Sequence, residues 1–388
     1  MTATAPEPSA APTERGAPAL VLRELRKSFG GVVAVDGIDL EVRRGEFVTL
    51  LGPSGSGKTT TLRIVAGFMA PTGGTIEIDG RDMTRVPPHR RDVGMVFQNY
   101  ALFPHMTAAQ NIGFPLQMRG RSRAEITQRV GDALALVKLE NFGDRYPRQL
   151  SGGQQQRIAL ARAVVFQPRL LLMDEPLGAL DRKLRESLQL EITHISRELG
   201  ATVVYVTHDQ EEALVMSDRI AIFNNGQIEQ AGSGEDLYDR PASLFVADFI
   251  GESNILRGRF ERDGAGGGWI GRGTSRWRVG QAAAVRAGVD GGATAALVVR
   301  PERIRMLAPA DEVPASSNVV EATVDDVLHL GSDRKYGLRL SDGQRAAVRE
   351  PRDGAGRQWQ RGDAVRLVWA IDDGVVVADP AGLRVGAG

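Results

Sequence analysis

Between residues 19 and 250, short apolar runs alternate with helical patterns. Phe47–Leu51 (FVTLL), residues 170–173 (LLLM) and Thr202–Thr207 (TVVYVT) are apolar or β-branched runs of strand length. Each is bounded by charge or turn signals, so each predicts a buried strand. A helix is expected over residues 59–67, directly after the first run. Across 182–200, Leu184, Leu188, Ile192, Ile195 and Leu199 recur at steps of four, four, three and four. That spacing puts one apolar stripe on a helix ending at Gly200. Strand, helix and strand in this order predict a mainly parallel sheet. Residues 20–25, 38–42 and 75–78 predict a smaller antiparallel sheet.

Beyond residue 250 the pattern changes. β-like runs at 298–300, 322–330, 334–340, 364–369 and 374–379 sit between Gly and Asp turns, with little helical periodicity. They predict one or two small β-barrels. All four Trp and 22 of the 46 Gly also fall in residues 251–388, which puts a boundary near 240–255. The expected organisation is a disordered tail over 1–18, a first domain over 19–240, a linker over 241–254 and a β-rich domain over 255–388. The tail is rich in Ala, Pro and Thr and lacks the charged start and apolar core of a signal peptide. No run approaches 18 apolar residues, so no membrane-spanning helix is expected.

Charge and cysteine content narrow the chemistry. Lys+Arg and Asp+Glu are equal at 48 each, which argues against a dedicated nucleic-acid binder. With no Cys, disulfides, thiolate zinc sites and cysteine nucleophiles are excluded. Only five of the 48 basic residues are Lys, so each Lys is informative.

One of the five closes the segment Gly52-Pro53-Ser54-Gly55-Ser56-Gly57-Lys58-Thr59-Thr60, which fits G-x-x-x-x-G-K-[ST] between a strand and a helix. The glycines let successive N–H groups turn toward phosphate, and the helix start adds partial positive charge. Lys58 would reach the β- and γ-phosphates, and Thr59 would offer a hydroxyl to Mg²⁺. Asp174 and Glu175 end the LLLM run. Asp174 is placed for the Mg²⁺ shell, and Glu175 for polarising a water. By themselves such acids are as often plain strand ends; the preceding phosphate loop tips the balance. Ser151-Gly152-Gly153-Gln154 opens another helix, a second device with open N–H groups. Alone it is more often a simple cap. One nucleotide does not need two such devices from one subunit. Two subunits facing head to tail would use both.

With Leu150 in front, residues 150–154 read LSGGQ, and here the chain resembles the ATP-binding cassette (ABC) family, in motif and in motif order. The resemblance covers residues 19–250. It implies an α/β P-loop NTPase with a RecA-like core, an antiparallel β subdomain and a helical subdomain. It also implies roles for residues that are bland in isolation. Gln98, in VFQNYALFPHMT, matches the loop that looks toward Mg²⁺ and the membrane partner. Asp181, in LGALD, matches the loop that crosses the dimer interface. His208, in YVTHDQEEA, matches the histidine that contacts the γ-phosphate. Phe29, in RKSFGG, stands where the family places an adenine-stacking aromatic. Gln98 could otherwise be an ordinary turn residue, His208 a helix cap and Phe29 core.

The text after the cassette, GESNIL at 251–256 and VVRPERIRM at 298–306, resembles the all-β, OB-like accessory domain of importer ATPases. Long segments of the cassette look most like the ATPases of spermidine/putrescine importers; those for ferric iron, sugars and phosphonates share much of the same text. The resemblance implies ATP and Mg²⁺ as cofactors and a homodimer beneath two permease subunits. It also implies an extracytoplasmic solute-binding protein, no nucleic acid, and a peripheral place on the cytoplasmic face of the bacterial inner membrane. Residues 101–106 and the following helical region are expected to form part of a groove for a permease helix. A soluble non-transport cassette ATPase, a regulatory binding module and an exporter ATPase are the rival readings.

Overall fold

The computed structural model describes residues 18–178, 181–264, 266–273, 275–352 and 357–379. All but the last residue of the expected tail, and Leu180, lie outside the described residues. The chain divides into two compact units, one ending at Gly234 and one starting at Glu235.

In the first unit, strands β1 (Leu20–Phe29) and β2 (Val32–Val42) form a long antiparallel hairpin. With β4 (Gly73–Ile78) and β5 (Arg81–Asp82) it makes a four-stranded sheet in the order β2-β1-β4-β5. A second sheet has six strands: β3 (Phe47–Leu51), β6 (Val93–Val96), β7 (Leu170–Asp174), β8 (Thr202–Thr207), β9 (Arg219–Asn224) and β10 (Gln227–Gly232). Their order is β10-β9-β3-β8-β7-β6, and all pairs are parallel except β9 with β10. The unbroken apolar runs reflect burial on both faces. Leu170 and Leu172 enter one core with Leu62 of α1 (Lys58–Val65), whereas Leu171 and Met173 enter another. That second core holds α2 (Ala108–Met118), α3 (Arg123–Leu136), α4 (Gly152–Val164) and α5 (Arg182–Glu198). Helix α6 (Gln210–Met216) follows β8.

The stripe on α5 is real over Leu188, Ile192 and Ile195, which are buried. Leu199 departs from it. It is the C-cap rather than a helical residue, and it is 41% exposed.

Residues 241–254 are more ordered than a linker. Helices α7 (Gly234–Asp239) and α8 (Leu244–Phe249) precede β11 (Asn254–Arg262), and Leu237, Val246, Ala247 and Ile250 are fully buried. Two five-stranded antiparallel sheets follow. β12 (Gly268–Arg272), β13 (Ser275–Val279), β14 (Thr294–Val299) and β20 (Val375–Ala378) join β11 in the order β13-β12-β11-β14-β20. β15 (Arg305–Leu307), β16 (Ser317–His329), β17 (Asp333–Leu340), β18 (Arg345–Pro351) and β19 (Ala364–Ala370) form the order β15-β19-β16-β17-β18. Both sheets contribute to one core, where Trp277, Trp359 and Trp369 are buried. A short helix, α9 (Gln281–Ala287), interrupts the strands.

Arg300 fastens the entry to this unit. Its guanidinium donates to the carbonyls of Tyr238, Ala247 and Ile250 at 2.6, 3.0 and 2.7 Å, and to Ser253 Oγ at 2.5 Å. Removing the charge leaves those buried acceptors without donors, each a costly desolvation. Arg300→Leu should therefore destabilise the second unit by about 2–4 kcal/mol. Urea unfolding followed by Trp fluorescence measures it there, because every Trp lies in that unit.

Candidate nucleotide site

The parallel sheet sets the site. Leu51 of β3 lies opposite Thr207 of β8, and Asp174 of β7 lies opposite Val206 of β8. The carboxyl ends of three strands thus stop at one level, where ligands bind in open α/β sheets. β3 hands over to the loop 52–57 and then to α1.

That loop leaves no room for side chains at two of its glycines. Gly57 has φ 105°, and a Cβ there would stand 2.5 Å from the Ala34 carbonyl oxygen. A Cβ on Gly52 would stand 2.3 Å from the Phe223 carbonyl oxygen. The loop is therefore wedged between β2 and β9. Lys58 is 4% exposed, and its ammonium donates to the carbonyls of Gly52 and Pro53, both at 2.8 Å. Burial pushes its pKa down, while Glu175 and Asp174 push it up. Gly55 (φ 81°) and Gly57 both take positive φ in this loop, with Ser54 and Ser56 beside them, and the Ser56 N–H donates to the Pro53 carbonyl at 3.3 Å. Pro53 serves through its carbonyl, and Thr60 follows in the first turn of α1.

Two side-chain pairs converge on this loop, one hydrogen-bonded and one in close polar contact. Thr59 Oγ1 donates to Asp174 Oδ1 at 3.0 Å. Burial raises the Asp174 pKa, and the bond from Thr59 and the charge of Arg63 oppose that rise. Arg63 lies 3.9 Å from the second carboxylate oxygen. It is four residues after Thr59, on the same helical face. His208 Nδ1 lies 3.2 Å from Glu175 Oε2. Glu175 has φ 43°, a strained conformation of the kind that gathers at functional sites. Its N–H donates to the Val206 carbonyl, which locks the turn to β8.

The donor set fits magnesium nucleotide. Among the described residues, no cluster of three or more His, Cys, Asp or Glu could cage a metal. A Mg²⁺ carried on phosphates needs only one or two protein ligands, such as the Thr59 hydroxyl and Asp174.

Gln98 is exposed in the turn after β6, two residues past Val96, which pairs with Met173. Phe29 is 46% exposed at the end of β1, with the Lys27 ammonium 5.0 Å from its ring centroid. The exposed Val32 and Val33 extend this apolar tip on the same hairpin that passes Gly57.

Ser151–Gln154 stand apart from this group. Ser151 caps α4: its hydroxyl accepts from the Gln154 N–H at 3.4 Å, and Gln154 Oε1 accepts from the Ser151 N–H at 2.9 Å. Gly153 abuts Leu184, which a Cβ would approach to 3.2 Å. Gly152 and Gly153 thus start α4 beside the first turn of α5, whose N-cap is Asp181. Among the described residues, no hydrogen bond or ion pair joins Ser151–Gln154 to Lys58, Asp174 or Glu175.

Sequence reasoning missed Arg63 and Arg162. Arg162, on α4, donates to the carbonyls of Tyr100 and Ala101, both at 2.8 Å. Both of those residues have positive φ, so one guanidinium holds a strained loop just after Gln98. The spacing of Thr59 and Arg63 could have revealed the first; nothing local points to the second.

Comparison with known proteins agrees with this geometry. Residues 35–178 match the family described as ABC transporter, and residues 297–377 match the TOBE domain. The chain is 47% identical over 370 residues to the spermidine/putrescine import ATP-binding protein PotA 1 of Pseudomonas aeruginosa, covering 93% of this chain and 97% of that protein. It is 48% identical over 358 residues to the spermidine/putrescine import ATP-binding protein PotA of Rubrobacter xylanophilus, covering 92% and 93%. A solved dimeric bacterial ABC transporter cassette is 35% identical with a TM-score of 0.50, spanning 55% of this chain and 98% of that one.

Gly57→Ala should weaken ATP binding about ten-fold or more, since both the positive φ and the contact with Ala34 resist a methyl group. Equilibrium titration with a fluorescent ATP analogue checks this.

Proposed function

The chain belongs to the ABC transporter family, and from that premise we propose that it energises import of a polyamine such as spermidine or putrescine. It is an ATP hydrolase with a cassette and a β-rich accessory unit. The observation that carries the site assignment is the meeting of Thr59–Asp174 and Glu175–His208 at the end of one parallel sheet. The import reading and its solute rest on the named relatives, and the accessory unit supports import over export.

In this reading the N–H groups of residues 55–60 and the Lys58 ammonium bind the phosphates, with Ser54, Ser56 and Thr60 alongside. Thr59 and Asp174 would hold Mg²⁺, with Gln98 alongside, and the ion would supply neutralisation of phosphate charge. Phe29 stacks on adenine. A second copy, facing head to tail, supplies Ser151, Gly152, Gly153 and Gln154 to the same nucleotide, and Asp181 lies along that interface. Glu175 takes a proton from the attacking water. The water oxygen bonds to the γ-phosphorus, the bond to the β–γ bridging oxygen breaks, and ADP leaves. His208 and Lys58 stabilise charge on the transferring group.

Coupling to transport needs a membrane partner, since among the described residues no helix is long and apolar enough to cross a membrane. Between α2 and α3 runs a groove of 820 Å³, lined by His105, Met106, Ala109, Gly113 and Ile126 among others. It suits a short helix from each of two permease subunits. An extracytoplasmic binding protein would deliver solute, and the cassettes would sit on the cytoplasmic face of the inner membrane.

Glu175→Gln should keep ATP affinity, lower hydrolysis about 100-fold and accumulate an ATP-bound dimer. Phosphate release and size-exclusion chromatography with ATP read the two effects; ordinary turnover would refute the base assignment. Lys58→Ala should weaken ATP binding about ten-fold or more. An unchanged dissociation constant in calorimetry would refute the phosphate role.

A further inference from the structure

The turn that carries His208 is held by a buried network of its neighbours in YVTHDQEEA, none of them given a role above. Glu212, on α6, is 2% exposed. Its Oε2 accepts hydrogen bonds from the hydroxyls of Tyr205 and Thr207, both at 2.7 Å. Those two residues are themselves buried on β8. Thr207 Oγ1 also accepts from the Asp209 N–H at 3.0 Å. With its proton given to Glu212 and a lone pair used by Asp209, this hydroxyl has a fixed orientation. It bridges the backbone on both sides of His208.

Asp209 closes the far side. Its Oδ1 accepts from the N–H groups of Glu211 and Glu212, at 2.9 and 3.2 Å. Its Oδ2 accepts from Arg185 Nη1 at 3.1 Å. Arg185 Nε lies 3.7 Å from Glu212 Oε1. Strand β8, helix α6 and the first turns of α5 therefore meet at one carboxylate. An apolar side chain would fill this space at lower desolvation cost, but it would orient nothing.

We infer that Glu212 is a positioning residue for hydrolysis: through Thr207 it fixes the backbone of His208, which holds the imidazole beside Glu175. Through Arg185 the same carboxylate ties that turn to the helix capped by Asp181. This rests on the reading of His208 as the γ-phosphate contact, and it adds the buried residues Glu212 and Thr207, to which that reading gives no nucleotide contact.

Steady-state hydrolysis of radiolabelled ATP by the full chain tests it, using Glu212→Gln, His208→Ala and the double variant. Glu212→Gln should lower kcat about ten-fold and move KM for ATP by less than about two-fold. In the His208→Ala background it should cost less than about two-fold more, because its effect passes through that residue. Thr207→Val should reproduce the loss and Thr207→Ser should recover most of it, which carries the test if Glu212→Gln does not fold. An unchanged kcat in Glu212→Gln, or an equal further loss in the His208→Ala background, overturns the inference. Full activity in His208→Ala alone overturns instead the reading of His208 on which it rests.

Discussion

The site depends on three parallel strands ending at the same level. Because Leu51 pairs with Thr207 and Asp174 with Val206, the next residues of each chain segment emerge side by side. The phosphate loop, Glu175 and His208 are those next residues, and Asp174 is the last residue of β7 itself. Their local sequences need only supply side chains; the sheet supplies proximity. A one-residue slip of β7 against β8 would turn Leu171 and Met173 out of their core and move Asp174 away from Thr59 at once. Core packing and catalytic geometry are therefore one constraint.

The arginine bias has a structural counterpart. Arg91, Arg162 and Arg300 are all buried, and each is satisfied mainly by carbonyl oxygens rather than by a carboxylate. Arg91 donates to Ile64 and Val65, the last carbonyls of α1, where a cation also suits the helix dipole. Burial pushes all three pKa values down, yet a guanidinium starts so high that it stays charged. Its fan of donors reaches several carbonyls together, which one ammonium does less well. Lys58 is used where a compact point charge is wanted, at the phosphate loop.

What could be read from the sequence follows from range. The phosphate loop, the acids after β7 and the Ser151 cap are contiguous, so local spacing revealed them. Strands β3, β7 and β8 are apolar on both faces, so their runs were unmistakable. Helices α8 and α9, of six and seven residues, are too short to show a period, and the region around α8 read as a linker. Leu199 looked like the end of a stripe because spacing cannot distinguish the last helical residue from the cap. Glu212 was invisible for a different reason. Its partners Tyr205 and Thr207 are near in sequence, but only the burial of β8 and α6 turns three ordinary polar residues into one network. Arg162 and its carbonyl partners are about sixty residues apart.

The Ser151 hydroxyl is already engaged with the Gln154 N–H, which sets the cap against the proposed nucleotide contact. The geometry removes the conflict. In the cap the hydroxyl accepts from the Gln154 N–H, which uses a lone pair and leaves its own proton free to donate. Phosphate oxygens are acceptors, so the group they require is the one the cap does not consume. The Gln154 carboxamide likewise spends its oxygen on the Ser151 N–H and keeps its amino group. A capped helix start and a phosphate-binding helix start are thus the same arrangement viewed from two sides. The capping box fixes the direction of both donors before any second cassette arrives. The plain structural reading of this motif then becomes a condition for the functional one.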